Sequence, residues 1–115
     1  FDTLSGGQVQ RALFARLIIQ DAPLILLDEP FAAVDQKTSA DLLEVIHGWH
    51  REGRTVIAVL HDFEMVRRSF PETLLLAREL IGMGQTHEVM QSDRLHVAQT
   101  MAEAWNDHAE FCARQ

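Results

Sequence analysis

Ser5-Gly6-Gly7-Gln8 stands immediately ahead of a helical pattern, and its residue types suit an anion. Glycines without Cβ atoms let backbone N–H groups come close to a phosphate, the helix dipole favours negative charge there, and the Ser5 hydroxyl adds a donor at a capping position. The same residues would serve equally as a plain helix cap. A second group is Asp28-Glu29, which follows the apolar run Leu24-Ile25-Leu26-Leu27. Two carboxylates at the C-terminal end of a buried strand repel each other unless a cation or a shared proton lies between them. That sheet edge is also where open α/β folds bind ligands. Asp28 in such a place can hold Mg2+ through water, while Glu29 can orient or deprotonate an attacking water; as solvated loop acids the pair would do neither. His61 ends a second apolar run and can donate a hydrogen bond to a phosphate at the same edge, or serve structurally. Asp35 suits a helix N-cap.

The elements that must position these residues follow from periodicity. Val9, Leu13 and Leu17 recur at helical spacing from Gly7 to about Gln20, and Phe14, Ile18 and Ile19 widen the stripe, so this helix is expected to be buried on more than one side. Asp21-Ala22-Pro23 breaks it. The run Leu24–Leu27 is expected to be a parallel strand covered on both faces, and Pro30 stops its continuation. A second helix is expected over Gln36–Glu52, capped by Asp35, with an apolar stripe of Leu42, Leu43, Val45, Ile46 and Trp49 and with Gly53 as its terminating glycine. Thr55–Leu60 is a second buried-strand run, rich in β-branched residues. Asp62 caps a short helix carrying Met65 and Val66. Leu74–Ala77 and Leu80–Met83 read as further strands, the latter ending at Gly84. Ser92 caps a final helix with Leu95, Ala98, Met101, Trp105 and Cys112 as its apolar residues. The alternation implies an α/β fold with parallel strands, and the lack of linkers or repeats implies one unit.

Composition narrows the partners. The chain has 115 residues, 47% hydrophobic and 23% charged, which is ordinary for a globular domain. Ten basic residues against seventeen acidic ones give a net charge of −7, which argues against a nucleic-acid surface. One cysteine, Cys112, excludes an internal disulfide and fits a reducing compartment. No apolar run approaches the roughly 20 residues that cross a bilayer, and Phe1-Asp2-Thr3 does not open a signal peptide, so the expectation is a cytoplasmic protein. His47 and His50 on one helix, and His108 and Cys112 on another, have spacings that could offer paired metal ligands, although such residues usually belong to a solvated face.

Taken together, these groups in this order resemble the ATP-binding subunit of ABC transporters. Leu4-Ser5-Gly6-Gly7-Gln8 is similar to that family's signature, Leu24–Pro30 to its Walker B strand, Phe31–Asp35 to its D-loop and His61 to its switch histidine. The resemblance implies a partial P-loop NTPase fold that binds ATP and Mg2+. It makes Asp28 the Mg2+ ligand, Glu29 the general base and His61 the γ-phosphate sensor. Ser5, Gly6, Gly7 and Gln8 would serve ATP held by a second ATPase subunit in a head-to-tail dimer, with Asp35 in the adjoining loop. It further implies an integral membrane permease partner, an indirect link to an extracytoplasmic solute-binding protein, and a place at the cytoplasmic face of a bacterial-type inner membrane.

The phosphate loop of that family, Gly-x-x-x-x-Gly-Lys-Ser/Thr, is not found in these residues: the only lysine is Lys37, and no glycine lies between Gly7 and Gly48. The expectation is therefore the C-terminal part of one ATP-binding domain, hydrolysing ATP when completed and binding it weakly or not at all alone. Phe70–Leu76 with Gly84 and Val89 resembles bacterial importers, and Glu29-Pro30-Phe31 with Val34, Asp35 and Thr38 looks most like the zinc and manganese import branch. The competing expectations are an inactive remnant that binds partners, and a non-transport ABC ATPase; the latter would carry basic segments or coiled-coil heptads, which this sequence lacks.

Overall fold

Helix α1 (Gly6–Gln20) begins at Ser5, whose extended backbone and accepting side chain make a capping box with Gln8, and ends at Asp21 in the left-handed region. The computed structural model describes the backbone of residues 5–113 and the side chains of residues 5–104. Leu4, the first residue of the signature-like motif, lies outside the described residues, as do the side chains of Trp105, His108 and Cys112. The chain divides into two compact units, residues 1–61 and 62–115.

In the first unit, strand β1 (Leu24–Asp28) runs parallel to β2 (Thr55–Val59), with Leu24 opposite Thr55 and Asp28 opposite Val59. The crossover between them is α2 (Gln36–Arg51), which packs on β2, while α1 packs on α2. This parallel pair with helices is the α/β arrangement the sequence implies. Phe14, Ile25, Leu27, Leu42, Ile46 and Trp49 are buried, and the Phe14 and Trp49 rings stack with centroids 5.5 Å apart. Arg54 ties the start of β2 to the end of α1: its guanidinium pairs with Asp21 and Glu52 and donates 2.9 Å to the Ala22 carbonyl.

Burial corrects the sequence reading in three places. Only Ile25 and Leu27 of β1 are buried; Leu24 and Leu26 face outward, 50% and 67% exposed, so the strand is covered on one face. The β2 run is not buried either, with Ile57 and Val59 about half exposed. On α1 the sole buried residue is Phe14, and Ile18 and Ile19 are exposed. The physical reason is the same throughout: among the described residues of this unit, no element lies on those sides.

The second unit begins with α3 (Phe63–Ser69), capped as expected by Asp62, which accepts from the Glu64 and Met65 N–H groups. Strands β3 (Glu72–Ala77) and β4 (Glu79–Gln85) form an antiparallel hairpin rather than parallel strands, turned by Arg78 alone at φ 63°. A single-residue connection leaves no room for a crossover, so antiparallel pairing is forced. Helices α4 (Thr86–Val89) and α5 (Ser92–Ala113) follow. Ser92 is the first residue of α5 rather than its cap; the Leu95 N–H bonds the Gln91 carbonyl. Leu75, Val89, Met90, Leu95 and Ala98 form the core here, with Phe63, Val66, Ala77 and Ile81 against it. Thr86 is buried and satisfied, donating 2.5 Å to the Phe70 carbonyl beside Thr73.

Candidate phosphate-transfer site

Two groups of the expected site residues come together within the first unit. The first stands at the C-terminal end of the parallel pair. Asp28 is the last residue of β1 and is exposed. The Glu29 N–H continues the ladder to the Val59 carbonyl at 2.9 Å, after which the chain turns with Glu29 at φ 50°. A non-glycine residue in that region is strained, and the residue before a proline is ordinarily held extended. The turn leads the chain away from the strand line, and the Glu29 carboxylate Oε1 meets Nε2 of His61. His61 itself is delivered two residues beyond β2, 83% exposed, so the ring and the carboxylate meet at an open sheet edge. Glu29 and His61 lie 32 positions apart in sequence and are joined by strand pairing alone.

The second group is at the start of α1. Ser5 Oγ accepts from the Gln8 N–H at 3.2 Å, and Gln8 Oε1 accepts from the Ser5 N–H at 2.9 Å. These polar groups are committed to the cap. The N–H groups of Gly6 and Gly7 have no acceptor within the helix, as for any first turn. Gly6 is also required for packing, whereas a Cβ on Gly7 would stand in ordinary contact with its neighbours. A Cβ on Gly6 would lie 2.6 Å from the Ala33 carbonyl oxygen, and one on Gly7 would lie 3.4 Å from the Thr38 side chain and 3.6 Å from Asp35 Oδ1. Asp35 occupies the N-cap position of α2, but its side chain makes no capping hydrogen bond. Its carboxyl is held below the usual carboxylate range, chiefly by the Thr38 side chain and, to a smaller extent, by the Arg11 charge. Arg11 on α1 pairs with Asp41 on α2 at 2.6 Å, which fastens the two helices beside this contact.

Ala33, at φ 56°, and buried Thr38 complete this arrangement. Nothing in the sequence marks Ala33, because alanine carries no signal for a left-handed backbone. A buried Thr two residues into α2 reads from sequence as an ordinary helix-start residue.

The donor set bears on cations. Among the described residues no group of three or more His, Cys, Asp or Glu could hold a metal ion, so His47 and His50 belong to no such group. Asp28, an exposed carboxylate beside the Glu29–His61 pair, fits a hard cation that keeps water and substrate phosphates as its other ligands.

The comparisons agree with the motifs. The family described as ABC transporter matches residues 1–32. The chain is 34% identical over 95 residues to a manganese transport system ATP-binding protein, MntB, of Listeria innocua serovar 6a, covering 83% of this chain and 40% of that one. It is 36% identical over 94 residues to the manganese transport system ATP-binding protein MntA of Synechocystis sp., covering 82% and 36%. It is 44% identical over 66 residues to the macrolide export ATP-binding/permease protein MacB of Bartonella henselae, covering 57% and 10%. Over these residues the chain belongs to the ABC transporter family, in its ATP-binding part. It spans well under half the length of these relatives. No helix among the described residues is long and apolar enough to cross a membrane.

Proposed function

We propose that these residues form the C-terminal part of one ABC-type ATP-binding domain, and that the completed domain hydrolyses ATP to drive transport. The observation that carries this reading is the contact between Glu29 and His61 at the C-terminal edge of the parallel pair. A carboxylate there is placed to take the proton of an attacking water, and its imidazole partner to orient it and to donate toward a phosphate oxygen. Asp28, beside them, would hold Mg2+, which when bound supplies charge neutralisation of the phosphates. Ser5, Gly6, Gly7 and Gln8 begin the helix whose N-terminus would face the nucleotide of a second subunit, with Asp35 supporting it. The partners that go with this reading are that second ATPase subunit, an integral membrane permease that the ATPase meets at the cytoplasmic face, and an extracytoplasmic solute-binding protein through the permease.

A divalent metal ion such as manganese or zinc is the proposed solute, supported by the names of the Listeria and Synechocystis relatives. The macrolide exporter supports export as the second reading. Uptake of labelled manganese by proteoliposomes of the whole transporter separates them, since an exporter gives no ATP-dependent accumulation from the solute-binding side. For the hydrolytic step, Glu29→Gln in the full-length protein is expected to lower ATP turnover by roughly 10²- to 10⁴-fold while ATP still binds. Turnover within twofold of wild type would remove Glu29 from the role of base.

A further inference from the structure

Pro30 to Asp35 connect the Glu29–His61 pair to the start of α1, and the connection is fitted at both ends. At one end the Glu29 carbonyl accepts from the Ala32 N–H at 3.2 Å, and the Phe31 carbonyl accepts from the Val34 N–H at 3.3 Å, so the segment is internally braced. Pro30 is buried. At the other end Ala33, in the left-handed region, turns its carbonyl oxygen onto Gly6 so closely that a Cβ there would stand 2.6 Å away. Asp35 and Thr38 meet Gly7 next to it, and the Arg11–Asp41 pair holds α1 against α2 one turn further on. A left-handed alanine is strained and persists where its surroundings over-determine it. The surrounding that does so here is the seat on Gly6.

We propose that Ala33 is a positioning residue for Glu29: the seat of its carbonyl on Gly6 fixes the braced segment, and through it the direction of the Glu29 carboxylate toward His61. Gly6 is then needed for a contact inside its own chain as well as for any approach to an anion. The proposal rests on the hydrolytic role given above to Glu29. It differs from a purely local role of Gly6 in what it requires of a residue that touches no substrate.

The test is a double-mutant cycle in the full-length protein. Gly6→Ala inserts the Cβ that the seat excludes. Ala33→Pro removes the seat from the other side, because proline cannot adopt a φ of +56°. Each single variant is expected to lower kcat for ATP by roughly 10- to 100-fold through misplacement of the base, with KM changed less than about threefold. The double variant is expected to be no slower than the slower single, since both break one contact. Ala33→Gly accepts the same backbone angle, is expected to keep at least half of wild-type kcat, and serves as the folding-neutral control should the proline variant fail to express. In that case Gly6→Ala combined with Ala33→Gly, which frees the carbonyl to swing aside but cannot restore the seat, is expected to recover less than about twofold in kcat over Gly6→Ala alone. Multiplying effects in the cycle, a defect confined to KM, or recovery of kcat toward wild type in the Gly6→Ala, Ala33→Gly pair would overturn the proposal while leaving wild-type turnover in place. A wild-type protein without ATP turnover would overturn the hydrolytic reading and the proposal with it.

Discussion

Glu29 carries two unfavourable features at once: a left-handed backbone and a proline immediately after it. Backbone strain of that kind costs about 1–3 kcal/mol, whereas an exposed histidine–carboxylate pair returns about 0–1 kcal/mol. Strain therefore outweighs the contact, and Glu29→Gly is expected to raise stability by about 1 kcal/mol in denaturant unfolding while abolishing ATP turnover. A lower midpoint for that variant would show that the Glu29–His61 contact stabilises the fold by more than the strained backbone costs it. Asp35 offers the pH-dependent case. Its carboxyl is held below its ordinary value by Thr38, so the charged form is favoured in the folded state; the stability this adds is fully present above the ordinary carboxylate pKa and is lost as pH falls through the depressed one. Melting from pH 7 down to pH 2 is expected to show wild type and Asp35→Asn running parallel until about pH 4, then the wild type falling faster. Parallel curves throughout would remove Asp35 as a contributor. Of these residues the chemistry-bearing types were legible in the sequence, since Ser5, Asp28, Glu29 and His61 each sit at an element boundary. Their backbone angles were not, because Glu29 and Ala33 have no side chain that signals a positive φ.

At the scale of elements, the caps decide where helices begin. Gly6 and Gly7 are poor helix formers, each costing close to 1 kcal/mol in a helix interior, so α1 depends on the Ser5–Gln8 capping box to start where it does. Ser5→Ala is expected to lower stability by about 1 kcal/mol, and Gln8→Ala by less, because only the Ser5 hydroxyl satisfies a first-turn N–H. Hydrogen exchange at the Gln8 and Val9 amides would read this directly; unchanged protection in Ser5→Ala would show that packing on α2, and not the cap, fixes the start. The element boundaries were readable from sequence wherever a capping residue or a break such as Asp21-Ala22-Pro23 accompanied an apolar pattern. The exposure of each face was not. An unbroken run such as Leu24–Leu27 records what its side chains suit, whereas burial depends on which elements lie against it, and α2 with α1 supply only one side. The hairpin was hidden for a related reason. A turn made by Arg78 alone carries none of the Gly, Asn or Asp that usually betray a reversal, so β3 and β4 read as two further strands of a parallel pattern.

For the molecule as a whole, each unit presents an apolar sheet face that the described residues leave open. In the first unit it comprises Leu24, Leu26, Ile57 and Val59, each at least half exposed and set out by the parallel register as a contiguous patch. In the second it comprises Leu74, Leu76, Leu80 and Met83, with Leu74 opposite Met83 and Leu76 opposite Leu80. Among the described residues both sheets have two strands, so their outer backbone edges carry ladder groups without a strand partner there. Burying apolar surface is worth about 25 cal/mol per Å2, and an unpaired strand edge offers hydrogen bonds to any chain that adds to it. The net charge of −7 opposes association, but at physiological salt its reach is only about 8 Å, too short to keep apolar faces apart once chains collide. The 115-residue chain by itself is therefore expected to self-associate: light scattering behind size exclusion at micromolar concentration should give a mass above 13.0 kDa, rising with concentration. Leu26→Lys with Ile57→Glu, placed opposite each other on the exposed face of the parallel pair, is expected to shift that mass toward the monomer without lowering the melting midpoint, because neither side chain is buried. A sharp monomer with cooperative melting in the unsubstituted chain would mean that these faces are not the energetic liability their exposure indicates, and that the core around Phe14 and Trp49 and the one around Val89 are sufficient.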